Sequence, residues 1–335
     1  MAIALPNFVT TTTRSRFFNK AVDNAFTGNV LFNRLRATAR PWTGGRRLEI
    51  PLTVSNRTQA TSFSSFDTLP TTQEDVRQLA VVDPAEYASD PLTFSGIQLA
   101  VNKGPEAFLS LMASEFSDVS RNLAEEIGSD LYGDGTGNSS KAINGLVYHI
   151  DDATSVTTWQ GLSRSTYSNL NSTRTAQSGA IGFDDLATDT DAAQRGNDSP
   201  DLIVTTPAVF SIIERIVTPT VNVNYGQQFE RGAATGGTDG ISLNYGVNRL
   251  YWRGIPIVAD EMCTAANIWT INLKHLFLYE LNYGPEMVEF SREGFGFTGF
   301  KKSQNQNAVV GHLLFAGQLV GDSPRTMARR TAVTS

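Results

Sequence analysis

Residues 105–138, PEAFLSLMASEFSDVSRNLAEEIGSDLYGDGTGN, contain the strongest structural signal in the sequence. Apolar residues recur there every three or four positions, at Phe108, Met112, Phe116, Val119, Leu123, Ile127 and Leu131. This spacing predicts one amphipathic helix over residues 105–132, with Pro105 in the first turn and an end at Gly133. At 1.5 Å per residue the helix would be about 40 Å long. Because it has one apolar stripe, we expect that stripe to pack along a sheet.

A polar, strand-forming excursion precedes this helix. Apolar residues alternate with polar ones at Leu48, Ile50, Leu52 and Val54. The alternation predicts a strand, and Pro51 puts it at an edge or in a projecting hairpin because proline cannot donate to a ladder. Residues 56–75 are polar except for Phe63, Phe66 and Leu69, and strands are expected at 76–82 and 92–101. Such a hairpin needs a partner chain to hold it, since an isolated ribbon is marginal in water.

The remaining chain predicts a mixed α and β insert followed by late strands. The expected elements are a strand at 146–150, helices at 183–194 and 207–217, a strand at 202–205, a flexible loop at 226–240, and strands at 247–253, 255–259, 268–279, 287–290 and 308–320. The last strand is apolar on both faces, so we expect it to return and pack under the long helix.

Composition and charge limit the possible functions. The 335 residues suggest about two domains, and a charged fraction of only 18% suits a surface that is buried against neighbours. A net charge of −6 argues against nucleic-acid binding as the main function of the protein. No apolar run is long enough to span a membrane, and the first residues do not resemble a signal peptide, so synthesis in a cytoplasm is expected. Cys263 is the single cysteine, which excludes an intrachain disulfide.

Positive charge is concentrated in residues 1–50. Eight basic residues stand there against two acidic ones, a local charge of +6, so the other 285 residues carry −12. An asymmetry of this size is typical of an arm that contacts a polyanion or an acidic neighbouring subunit, and equally of a solvated basic terminus.

No residue pattern indicates catalysis. The three histidines, His149, His275 and His312, lack partners at metal-ligand spacing. Cys263 has no nearby histidine. The adjacent carboxylates at 125–126 point in different directions on a helix, so we do not expect them to act together as acid and base. The glycines at 133–137 follow a helix, whereas a phosphate-binding loop joins a strand to a helix. We therefore expect no enzyme activity, no metal and no cofactor.

Four stretches, in this order, resemble the major capsid proteins of tailed bacteriophages with the Hong Kong 97 fold. They are RPWTGGRRLEIPL (40–52), LAEEIGSDLYGDGTGN (123–138), KAINGLVYHIDDA (141–153) and TWQGLSRSTY (158–167). The resemblance implies an α+β capsid fold with five parts. These are an N-terminal arm (1–40), an extended β-hairpin called the E-loop (41–82), a peripheral domain (83–179) with its spine helix (105–132), an inserted axial domain (180–285), and return strands with a C-terminal tail (286–335).

The resemblance also implies a function. The chain would assemble with itself into pentamers and hexamers of an icosahedral phage head that encloses double-stranded DNA without sequence specificity. It would form in the host bacterial cytoplasm, reside in the virion, and work with a separate scaffolding protein, a portal and decoration proteins, without a membrane. One alternative keeps the fold but makes an encapsulin-type compartment with protein cargo. Another is a polar hydrolase or sugar-binding β protein.

Two groups of residues are expected to make contacts between subunits. Contacts of the arm with DNA or with acidic neighbours are assigned to Arg14, Arg16, Lys20, Arg34, Arg36 and Arg40. Contacts of the E-loop with an adjacent subunit are assigned to Trp42, Arg46, Arg47, Phe63, Phe66 and Leu69, with local packing in the hairpin as the alternative. Some family members join neighbours through an E-loop lysine, but residues 41–82 contain none, so no such cross-link is expected.

Overall fold

A computed structural model of the chain describes residues 29–55, 57, 62–69, 71, 75–101, 111–221, 241–243, 250–284, 290–292 and 294–334. Several sequence predictions lie outside the described residues, namely Arg14, Arg16, Lys20, the loop at 226–240 and the first turns of the long helix. In the described part of the chain, no helix combines the length and the apolar character that a membrane span requires.

The main helices of the described residues include one long helix. They are α1 (Val30–Ala37), α2 (Gly96–Val101), α3 (Leu111–Asp130), α4 (Leu146–His149), α5 (Phe183–Ala193) and α6 (Pro207–Val221). The long helix is α3, which ends where the amide of Gly133 donates to the carbonyl of Asp130. Its apolar stripe, including Val119, Leu123 and Ile127, is buried in the main core.

A six-stranded sheet lies against α3. Its strands are β1 (Arg40–Trp42), β4 (Ala85–Ala88), β14 (Leu276–Leu281), β15 (Phe290–Arg292), β16 (Phe295–Phe297) and β19 (Leu313–Gly321). The central strand is β19, which pairs antiparallel with β14, β16 and β4. Phe315 and Leu319 of this strand share the main core with α3, which confirms that a late apolar strand packs beside the long helix.

A seven-stranded sheet forms the second layer, in the order β10-β11-β12-β9-β13-β20-β8. Its strands are β8 (Thr173–Ala176), β9 (Leu202–Thr205), β10 (Ile241–Leu243), β11 (Leu250–Trp252), β12 (Ile255–Ala259), β13 (Ile268–Ile271) and β20 (Ala328–Thr331). One face of this sheet packs with α5 and α6 in a second buried cluster that includes Ile203, Ile213 and Ile257.

Three small sheets complete the fold. They are β2 (Leu48–Thr53) with β3 (Arg77–Val82), β6 (Thr158–Trp159) with β7 (Leu162–Ser163), and β5 (Leu92–Ser95) with β18 (Ala308–Gly311) and β17 (Lys301–Lys302). A third buried cluster joins the first two of these sheets.

Four sequence predictions of local structure are wrong. The strand expected at 268–279 is divided into β13 and β14, because a turn in which the His275 amide donates to the carbonyl of Asn272 separates them. The strand expected at 92–101 stops at Ser95, because Ser95 and Gln98 cap each other's backbone amides and start α2. Residues 146–150 form α4, since a helical turn buries Leu146 and Ile150 on one face. The strand expected at 308–320 is broken at His312, whose amide donates to the Thr298 hydroxyl.

Candidate assembly surface

The hairpin β2–β3 has a regular antiparallel ladder. Its register runs from Leu48 opposite Val82 to Thr53 opposite Arg77, and the Val54 amide extends it by donating to the carbonyl of Val76 at 2.9 Å. The buried side chains on its inner face are Leu52, Val54, Ala80 and Val82. The alternation that predicted the first strand therefore corresponds to one buried face.

The base of the hairpin rests on its own chain. Its inner face packs on Trp159, Leu162 and Leu170, and the Val81 amide donates to the carbonyl of Gln160 at 2.9 Å. The expectation that a partner chain must hold the whole hairpin is thus wrong for the base, because residues 158–170 supply the platform that the sequence pattern did not reveal.

The tip of the hairpin is different, because its apolar side chains are in solvent. Phe66 is 100% exposed, Phe63 is 64% exposed and Leu69 is 52% exposed. The tip is shaped by a turn in which the Ser64 amide donates to the Asp67 carboxylate at 2.7 Å. Large apolar groups that cluster on a surface mark an interaction site. We call Phe63, Phe66 and Leu69 the hairpin tip.

The other predicted E-loop contacts lie near the base. Trp42 is only 4% exposed, and its indole N–H donates to the carbonyl of Gly44 at 3.0 Å. The structure therefore places Trp42 in its own chain, where it offers little surface to a neighbour. Arg46 is exposed, and Arg47 forms an exposed ion pair with Asp83 at 2.7 Å.

Two of the three described arm arginines contact aromatic rings of their own chain. The guanidinium of Arg36 lies 4.8 Å from the centre of the Phe295 ring, and that of Arg40 lies 3.4 Å from the centre of the Phe277 ring. Burial raises the pKa of Asp201, and the nearby charge of Arg34 opposes that rise. The structure thus gives Arg36 and Arg40 cation–π contacts within their own chain.

Burial shifts the pKa values of His149 and Cys263, two of the candidate reactive residues in the described part of the chain. Burial lowers the pKa of His149 to about 3, so its ring is neutral. Burial raises the pKa of the Cys263 thiol to about 12, which makes it a poor nucleophile. Among the described residues, no group of three or more His, Cys, Asp or Glu side chains could hold a metal ion.

Sequence reasoning missed a buried charge cluster at β20. Both Arg330 and Asp189 are buried, and the guanidinium binds both carboxylate oxygens of Asp189, at 2.7 and 2.8 Å. Arg330 also donates to the side chains of Asp185 and Gln177. The sequence ARRT at 328–331 has no local feature that separates buried Arg330 from its neighbour Arg329.

Comparison with known proteins adds evidence for the fold. Neither a protein-family model nor a curated protein matches the chain. Among solved structures, the cyanophage A-1(L) capsid asymmetric unit superposes with a TM-score of 0.72 over 99% of this chain and 100% of that chain, at 16% identity. The chain has the Hong Kong 97 capsid fold.

Further solved structures share this Hong Kong 97 fold. The holo-SrpI encapsulin complex from Synechococcus elongatus PCC 7942 matches with a TM-score of 0.64 and 11% identity, over 99% of this chain and 96% of that chain. The capsid of a native GTA particle matches with a TM-score of 0.59 and 10% identity, over 99% of this chain and 100% of that chain. The match spans both large sheets and the hairpin.

Proposed function

We propose that the chain is a major capsid protein, which assembles with itself into the pentamers and hexamers of an icosahedral phage head. The observation that carries this proposal is the hairpin of a capsid fold whose base is fixed on its own chain while Phe66 at its tip is fully exposed. Phe66 leaves its whole side chain available to another chain. The tip is therefore prepared to contact a neighbouring copy.

The energetics favour such a contact. Complete burial of one large apolar side chain stabilises an interface by about 1.5–3 kcal/mol, and the hairpin tip offers three. Because the base is already ordered, its residues add no conformational entropy cost on binding. A surface with few charged residues also lowers the desolvation cost of many simultaneous contacts.

The division of the chain into arm (1–40), E-loop (41–82), peripheral domain (83–179), axial domain (180–285) and return strands (286–335) is part of this proposal. The seven-stranded sheet and its separate buried cluster support an axial domain. Two of its strands, β8 and β20, come from outside residues 180–285, and β14 belongs to the other sheet. The sheet of the proposed axial domain is therefore built from more than one segment of the chain.

The same proposal covers the contents and partners of the shell. Double-stranded DNA would fill it, with the basic arm residues Arg14, Arg16 and Lys20 contacting phosphates without sequence specificity. Scaffolding, portal and decoration proteins would be separate chains, assembly would take place in the host cytoplasm, and the product would be the virion. The role is structural and not catalytic. Neutralising the three arm charges should lower genome content, whereas full packaging would contradict the arm's role.

The decisive experiment combines negative-stain microscopy with sedimentation of the purified chain. The triple variant Phe63→Ser, Phe66→Ser and Leu69→Ser should stay folded, because these side chains are exposed, and should lose closed particles. Ile97→Ser is the matched control, since Ile97 is an exposed apolar residue on α2, away from the hairpin. A triple variant that forms closed particles as readily as Ile97→Ser would contradict the proposal.

The second candidate is a compartment with protein cargo, and it has less support, because the encapsulin superposes with a TM-score of 0.64 and the cyanophage capsid with 0.72. Particle contents separate the two functions. Nuclease-protected double-stranded DNA in particles formed in cells supports the phage head, and a stoichiometric co-purifying enzyme supports the compartment.

A further inference from the structure

His275 lies on the crossover that joins the two large sheets, between β13 and β14. Its Nε2 is 2.8 Å from a carboxylate oxygen of Asp198, and its Nδ1 is 2.6 Å from one of Asp322. Asp198 belongs to a turn closed by reciprocal backbone bonds with Arg195, shortly before β9. Asp322 follows directly after β19. One imidazole therefore bridges segments from both sheets.

The geometry favours the protonated form of the ring. A neutral imidazole has one N–H, so it can donate to one of the two carboxylates and must turn a lone pair toward the other. Only the imidazolium can donate to both. The backbone supports the same junction, because the Asp322 amide donates to the carbonyl of His275 at 3.1 Å.

We propose that protonated His275 is a clamp that fastens the seven-stranded sheet to the six-stranded sheet at their crossover, and that loss of its proton releases the clamp. The inference depends on the fold alone and goes beyond the proposed capsid function.

The electrostatic surroundings agree with this geometry. Partial burial lowers the pKa of His275, but its hydrogen bonds with Asp198 and Asp322 and their charges outweigh that effect, so the pKa is raised above 6.5. The third charged neighbour is Lys274, whose Nζ lies 3.5 Å from Asp198. The charges of Lys274 and Arg34 also act on Asp201, next to this junction. His275, through its hydrogen bond, is the largest cause of the lowered pKa of Asp198.

The sign of the pH dependence follows from linkage. A histidine whose pKa is raised by folding stabilises the protein fully below its unfolded pKa, near 6.5, and this contribution disappears as pH rises through the folded value. Each unit of that shift corresponds to about tenfold in the folding equilibrium. His149, whose pKa is lowered, titrates in the acid range and with the opposite sign.

The test measures unfolding of the full chain by denaturant between pH 6 and 9. Wild-type protein should lose stability as pH rises, and His275→Gln should lose most of this dependence. His312→Gln is the matched control, because among the described residues His312 forms no ion pair with a carboxylate, and it should behave like wild type. Identical pH profiles for wild type and His275→Gln would overturn the proposal.

A local measurement on the wild-type chain tests the proposal even if His275→Gln folds poorly. Hydrogen exchange of peptides that cover residues 195–201 and 272–276, corrected for intrinsic rates, should quicken several-fold above the folded pKa in wild type. Asp198→Asn changes an exposed partner, and it should move the onset of this opening to lower pH. Exchange that does not respond to pH in these peptides would also overturn the clamp.

Discussion

The indole N–H of Trp159 donates to Nδ1 of His149 at 3.0 Å, and both rings are fully buried. On the other side of the imidazole, Nε2 lies 3.1 Å from the carbonyl of Leu319 and donates to it. This pair of bonds fixes the tautomer and joins the platform under the hairpin to β19. A proton on Nδ1 would break the bond to Trp159.

We expect acid to destabilise the protein through His149. Its pKa of about 3 in the folded chain lies below the unfolded value near 6.5, so the unfolded state binds more protons between these limits. Stability from this group is present above pH 6.5 and is lost as pH falls, by an amount on the order of 5 kcal/mol near pH 3. Denaturant unfolding at pH 7, 5.5 and 4.5 measures the slope. A profile unchanged in His149→Gln would contradict the assignment.

Arg330→Ala should destabilise the chain strongly. The substitution leaves the buried Asp189 carboxylate without its bidentate partner, and breaking a buried ion pair in this way costs about 3–5 kcal/mol. The free energy of unfolding in urea measures this loss.

Arg253→Ala is the matched control for that variant, because its acidic partner lies on α5, the helix that also carries Asp189. Arg253 pairs with Asp191, two residues after Asp189, and the two side chains are 43% and 61% exposed. Exposed pairs contribute about 1 kcal/mol or less, so this variant should stay close to wild type. Equal losses in the free energy of unfolding for Arg330→Ala and Arg253→Ala would show that burial of the ion pair does not set its contribution to stability.

Gly128→Ala should destabilise the protein although alanine favours a helix by about 1 kcal/mol. A Cβ at position 128 would overlap the side-chain amide of Asn29. Asn29 caps α1 by accepting from the Phe32 amide at 2.7 Å, and loss of such a cap costs about 0.5–2 kcal/mol. We expect a net loss in the melting temperature and in the free energy of unfolding.

A double-mutant cycle separates the overlap from other effects of Gly128→Ala. In an Asn29→Ala background the obstructing amide is gone, so the same substitution should become neutral or stabilising by up to about 1 kcal/mol. A loss of the same size in both backgrounds would refute the steric explanation.

Assembled particles should contain no covalent links between subunits through the E-loop. Residues 41–82 lack a lysine, so the amine needed for such a bond is absent there. Denaturing electrophoresis should show one band near 36.4 kDa. A ladder of multiples would disprove this.

Local patterns predicted the elements whose contacts are local. The 3.6-residue period of α3 and the alternation in β2 are visible in the sequence because each element buries one face of a regular structure. Helix α2 could also have been predicted from the sequence, since Ser95 and Gln98 have the spacing of a capping box. The competing apolar run at 92–101 obscured it.

Long-range pairing was not predictable in the same way. The strand β20 pairs with β13 and β8, far away in sequence, and no residue in β20 specifies those partners. For the same reason, the burial of Trp42 and Arg330 and the bridging position of His275 became visible only in the structure. The exposure of Phe66 agrees with the polar surroundings that marked the hairpin tip, and its contact with a neighbouring subunit stays a prediction.

The position of β20 between β13 and β8 has a consequence for biosynthesis. The seven-stranded sheet cannot close until residue 331 has left the ribosome, because the strand that joins its two parts is made more than fifty residues after β13. A nascent chain therefore lacks a complete subunit surface during translation. Under the proposed capsid function, this order of events would delay polymerisation on the polysome, where many growing copies lie side by side.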